Sequence, residues 1–185
     1  MKLFRSVMIL AVIIALTTVQ LNAQNKIGIR SGWNYASISD DGNRFGNHLN
    51  SFYVGLFKEH KIIPMFHFGY GLEYLQNGYE VKRAYTHKLN YISVPLYLKF
   101  KLGPAFITAG TGLNFMVSDN IDVSVASVDT PDGTVNTFDM PLQVGAGVKI
   151  LMFTIDFRYH WGMFDVIDGL GYNNQYMQVG LGFSI

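Results

Sequence analysis

Residues 153–162, FTIDFRYHWG, alternate without a break. Phe153, Ile155, Phe157, Tyr159 and Trp161 are large and apolar, while Thr154, Asp156, Arg158, His160 and Gly162 are polar or small. A period of two belongs to a β-strand whose two faces meet different surroundings. The pattern recurs over 26–35, 51–59, 65–75, 89–100, 105–117, 138–150 and 175–185. Most of these stretches have the ~9–11 residues that a tilted, bilayer-crossing strand needs. The connections alternate as well. Residues 36–50, 76–88, 118–137 and 163–174 are long, and 60–64, 101–104 and 151–152 are short. An outer-membrane barrel has short periplasmic turns and long external loops. The prediction is therefore all-β: an eight-stranded antiparallel up-and-down transmembrane β-barrel. Its least regular features are KILMFT, which lacks the Gly, Asn or Asp of a tight hairpin, and Pro95 and Pro141, which each remove a ladder hydrogen bond.

Composition decides which face looks inward. Of the 185 residues, 15% are aromatic and only 15% charged, against about a quarter charged in a soluble domain. The charges fall on the face opposite the aromatics, with most of the strand glycines. Arg30, Glu59, Glu73, Lys99, Asp139, Lys149, Asp156 and Arg158 are thus expected to form an ion network in the lumen, with His67 and His160 beside it. Tyr53, Tyr91 and Tyr97 add bulk there. The apolar face turns to lipid, and Trp33 and Trp161 fit interfacial girdles. A soluble lipocalin-like barrel needs the reverse arrangement. The net charge of +1 lacks the basic footprint of a nucleic-acid binder. With no cysteine, disulfides, thiolate metal sites and cysteine nucleophiles are excluded.

The N-terminus has its own pattern. Lys2 and Arg5 precede the apolar run VMILAVIIALTTV, and Ala23 follows. This is the form of a secretory signal peptide, residues 1–23, leaving residues 24–185 as the barrel domain.

KIGIRSGWNYA, YVGLFKE, GLEYLQNG, LNYISVPLYLKF, GAGVKI and DFRYHWGM span almost all of the chain after that leader. On these pieces the chain resembles the PorT-like outer-membrane β-barrel proteins of Bacteroidetes. The resemblance implies a Gram-negative outer-membrane barrel, inserted by the barrel assembly machinery. It includes relatives of secretion machinery without assigning that role here. The ending GFSI departs from the terminal aromatic of such barrels, with Phe183 close by.

The candidate chemistry is sparse. A histidine–carboxylate pair can perform general acid/base work, and some eight-stranded outer-membrane barrels modify lipid A. Neither His67 nor His160 has a serine two positions away, so lumen packing is the stronger reading. Asp119, Asp122, Asp129 and Asp132 fit no calcium-loop spacing, and VDTPDGTV reads as a hairpin tip. Lys82, Arg83 and Lys88 could meet lipopolysaccharide phosphates from the 76–88 loop. The expected role is structural, or binding and adhesion through loops, with an envelope protein as a further partner. A lipid-modifying enzyme and a narrow channel are the alternatives. No catalytic residue, metal or cofactor is assigned.

Overall fold

The computed structural model describes residues 25–40, 43–81, 85–123, 136–165 and 173–185. Among them, the regular structure is strand throughout: β1 (Asn25–Asp40), β2 (Asn43–Ile63), β3 (Phe66–Val81), β4 (Tyr85–Leu102), β5 (Ala105–Val123), β6 (Phe138–Asp139), β7 (Leu142–Ile150), β8 (Phe153–Asp165) and β9 (Asn173–Ser184). Chain neighbours pair antiparallel, and β9 returns to β1. β6 and β7 both pair with β5 and are two pieces of one wall strand. The result is a closed eight-strand barrel, which leaves no backbone edge for lipid to meet.

The register fixes the barrel's girth. From Ile27 the partners run through Lys58, Tyr70, Leu96, Thr111, Leu142, Trp161 and Gln175 to Ser37. The path rejoins β1 ten residues beyond its start, Ile27 to Ser37. A shear of that size over eight strands gives a tilt of about 40° and a backbone radius of about 8 Å. Because the shift is even, inward residues meet inward residues when the wall closes.

The exposure pattern is that of a protein turned inside out. Ile29, Leu56, Val144, Phe157 and Val179 are exposed on the outer face, while Arg30, Glu73, Lys99 and Arg158 are buried within. Outer-face rings gather at two levels. Phe66 with Phe100, and Phe153 with Phe183, pair near the short turns. Phe52 with Tyr74, Phe115 with Phe138, and Tyr159 with Trp161 pair toward the other end. On β8 the two levels are separated by about 20 Å along the barrel axis. These are the girdles that flank an apolar band.

The strands outrun the alternation that predicted them. Residues 36–40 and 43–50 belong to β1 and β2, and 76–81 and 85–88 to β3 and β4. The predicted loop over 76–88 is therefore mostly paired strand, with Lys88 opposite Gly78 and Asn120. β5 likewise carries Asp119 and Asp122. Above the membrane the outer face has no reason to stay apolar, so the period-two contrast fades while the hydrogen bonding continues. At the opposite end the turns are tight. Leu151 takes φ 55 and Met65 φ 78, so KILMFT does turn without the expected residues.

Both prolines interrupt the ladder. Pro95 faces Gly112, but on its other side the β3–β4 pairing lapses between the Tyr70–Leu96 and Glu73–Ser93 pairs without a change of register. Pro141 separates β6 from β7, and its carbonyl accepts from Gly112 N at 3.0 Å and Thr111 Oγ1 at 2.9 Å.

An arginine on the middle of the outer face tests this orientation. Leu56→Arg is expected to cost about 2–4 kcal/mol of unfolding free energy in lipid vesicles. Urea titration of the refolded barrel reads the loss, and an unchanged midpoint would contradict a lipid-facing Leu56.

Candidate functional site

The lumen concentrates buried charge. Inward positions on β1, β3 and β8 bring Arg30, Glu73, Asp156 and Arg158 together. Glu73 is the hub. Its Oε1 pairs with Arg30 Nε, and Arg158 Nη1 reaches Oε1 at 3.1 Å and Oε2 at 3.4 Å. Arg158 Nε lies 3.6 Å from Asp156 Oδ1. Rings cover the guanidinium groups: Arg158 lies over Tyr53 at 4.8 Å, and Arg30 over Phe57 and Tyr97 at 5.3 and 5.4 Å. Such stacking favours a desolvated cation. Glycines leave room for these rings, since a Cβ on Gly180 would strike the Tyr53 hydroxyl and one on Gly69 the Tyr97 ring.

A second pair lies nearer the short turns. Lys99 Nζ reaches Glu59 Oε1 at 2.6 Å, Tyr97 OH donates to the same oxygen at 3.3 Å, and Phe106 lies 3.9 Å from the ammonium. The cavity between the two clusters measures about 20 Å³ and is lined by Arg30, Glu59, Tyr97, Lys99, Asp156 and Arg158. That is room for about one water. Toward the long loops an amide layer replaces charge. Asn34 Nδ2 donates to Asn77 Oδ1 at 2.8 Å, Asn114 Nδ2 to Tyr176 OH at 3.3 Å, and Asn174 Nδ2 to Tyr91 OH at 3.4 Å. Ala36, Leu49, Leu75 and Leu89 are buried at this outer end.

A family model for the outer membrane protein beta-barrel domain matches residues 22–168. The chain belongs to that family. No curated protein matches the sequence. Among solved structures, Neisserial surface protein A is similar at 12% identity and a TM-score of 0.57, over 88% of this chain and 97% of that one. Ail, the attachment invasion locus protein of Yersinia pestis, is similar at 14% identity and a TM-score of 0.50, over 88% and 99%. Its backbone structure in a phospholipid bilayer nanodisc gives 13% identity and the same score, over 87% and 99%. These likenesses are of fold. Together with the family they place the barrel in the Gram-negative outer membrane.

In this outer-membrane barrel the expected site residues divide. Arg30, Glu73, Asp156 and Arg158 form one cluster, and Glu59 and Lys99 another. Asp139 and Lys149 lie toward opposite ends. Asp139 Oδ2 accepts from Asn174 at 3.4 Å, and Lys149 donates to the Ser184 hydroxyl. His160 is buried and stacks on Tyr176 at 4.2 Å, an arrangement suited to packing. His67 is half-exposed near a short turn. Among the described residues no three His, Asp or Glu side chains are grouped to hold a metal ion. Residues 1–23, Lys82, Arg83, Asp129 and Asp132 lie outside the described residues. The amide layer escaped sequence reasoning, although inward parity at Asn34, Asn114 and Asn174 was its available signal.

Glu73→Gln leaves two buried guanidinium groups without their shared anion. Removing one partner of a buried ion pair costs about 3–5 kcal/mol, and that loss is expected in urea unfolding. Thr137→Ala, at an exposed position, should stay within about 0.5 kcal/mol. Equal effects would deny Glu73 its place as hub.

Proposed function

We propose that this protein is a closed outer-membrane scaffold that binds through its external strand ends and loops, and neither conducts nor catalyses. One observation carries the reading: among the described residues, side chains fill the middle of the lumen and leave a cavity of about 20 Å³ between the two charge clusters. A solute has no path through such an interior. A catalytic histidine would need access, and His160 is sealed beneath Tyr176. The remaining variable surface is external. β2 has 21 residues, β4 18 and β5 19, well beyond the ~9–11 that cross a bilayer. Paired strands thus continue past the membrane, and loops carried on such a scaffold are a usual place for binding residues. Attachment, named for the Yersinia pestis barrel of similar fold, is an activity this design suits.

The finer parts of the proposal follow from sequence. The leader 1–23 is removed on export, the chain is PorT-like, and its outer partner is an envelope or surface component. In sequence, the stretches at and between the outer strand ends carry Asp40, Asp41, Glu80, Asp119 and Asp122, and this acidity favours a cationic partner. Lys82, Arg83 and Lys88 are the basic exception and would meet lipopolysaccharide phosphates.

Planar-bilayer recording of the refolded barrel tests the closed lumen; flat traces are expected, and stable large steps would refute it. The basic exception is read separately. Lys82→Ser with Arg83→Ser and Lys88→Ser should lower stability in lipopolysaccharide-containing vesicles by about 1 kcal/mol per charge. Stability in neutral detergent should not change.

A further inference from the structure

The rim at the short turns carries features that neither the closed lumen nor the outer loops explain. The first is charge. Lys26, Lys61, Lys101 and Lys149 stand at the inner mouth, on β1, β2, β4 and β7. Lys26 and Lys61 are exposed, and the other two are half-buried. Lys149 feels the charges of Lys26, Lys99 and Lys101, offset in part by Glu59. The nearby acid, Glu59, is already held by Lys99.

The second feature is the turns themselves. Ile63, Met65, Leu102, Leu151 and Met152 are exposed in or beside them, Leu151 at 85%. Hairpin tips in water favour Gly, Asn and Asp, yet Leu151 holds a left-handed conformation at φ 55. These tips continue the lipid-facing band: Phe153 and Ile155 follow Met152 on β8, and both are exposed.

The third is Lys58. It has outward parity on β2, with exposed Leu56 two residues away, and it pairs in register with Ile27 and Tyr70. Its side chain is nevertheless 7% exposed, and it makes none of the ion pairs above. A lysine at an outward position is tolerated where neighbouring side chains cover its stem, so Lys58 adds positive charge to the rim without an exposed ammonium.

We propose that the periplasmic end of the barrel is sunk in the inner leaflet of the outer membrane and binds anionic phospholipid there. The apolar tips insert among acyl chains. Lys26, Lys61 and Lys101 engage the headgroup phosphates. Apolar insertion combined with lysines on an anionic surface is how interfacial segments hold a membrane. The continuity of the tips with the lipid band favours lipid over an acidic periplasmic protein as the occupant.

The cysteine-free chain makes the test direct. Leu151→Cys, labelled with an environment-sensitive fluorophore, is refolded as the whole barrel into phosphatidylcholine vesicles with and without phosphatidylglycerol. Blue-shifted emission, quenched by brominated acyl chains, is expected in both. Spin-labelled phosphatidylglycerol should be held at the unlabelled barrel in preference to phosphatidylcholine, by roughly fivefold for each lysine on a phosphate. Added salt should screen that preference. The triple change Lys26→Gln, Lys61→Gln and Lys101→Gln should bring it close to one, while the corresponding arginine variant keeps it. Heat-dependent gel mobility checks that each variant folds.

A fluorophore quenched by aqueous iodide and untouched by brominated lipid would overturn the insertion. An undiminished preference in the glutamine variant would overturn the headgroup contact, as would a preference that vanishes instead with Lys82, Arg83 and Lys88. An acidic protein as occupant predicts a water-exposed label in pure lipid, the first of these failures. None of these outcomes bears on whether the lumen conducts, so the scaffold reading stands or falls separately.

Discussion

Lipid offers a polypeptide backbone no hydrogen-bond partner, and the rest of this molecule follows from that deficit. A sheet can meet it only by closing, and β9 pairing with β1 closes this one. Closure over eight wall strands, with the path from Ile27 returning at Ser37, sets a backbone radius of about 8 Å. Such an interior is too narrow for a channel and too wide to leave empty. The sequence fills it with tyrosines, arginines and amides, and places glycines where a ring must approach the wall.

The polarity of that filling follows from the same constraint. The outer face must be apolar, so a soluble chain's source of cohesion is spent on lipid contact. The inner face holds the wall together by polar contacts instead. Glu73 shows how: one carboxylate on β3 draws in Arg30 from β1 and Arg158 from β8. Three strands are thereby tied across the lumen, not along the ladder. Isolated, each buried charge would cost several kcal/mol. Shared, and covered by Tyr53, Phe57 and Tyr97, the charges make a compact plug.

What the sequence reveals is governed by where lipid touches the chain. Alternation at Phe153–Trp161 is clear because each outward residue meets acyl chains and each inward one meets the plug. It therefore reports the membrane, and the strand only by implication. β3 continues through Val81 and β4 starts at Tyr85, but at Gln76 and Asn77 both faces are polar and the contrast disappears. The lumen is similarly half-legible. Parity places Arg30, Glu73 and Arg158 inside, since it depends only on the period. It says nothing of which acid serves which base, because that depends on shear. Asp139 shows the difference: its parity is inward, yet its described contact is Asn174 in the amide layer, away from the Glu73 cluster.

The same reasoning locates the freedom to acquire function. Within the membrane every outward residue answers to lipid and every inward one to packing, so a substitution on either face disturbs stability. Beyond the upper girdle, marked by Trp161, Tyr159 and Phe115, the outward positions answer to neither. The backbone there is still held by antiparallel pairing, as Tyr85 opposite Val123 and Asp40 opposite Asn43 illustrate. The outer ends thus keep a paired backbone beyond the lipid, which suits a scaffold for binding residues. A barrel of this kind can keep its wall and plug while the ligand is set by loop and strand-end residues.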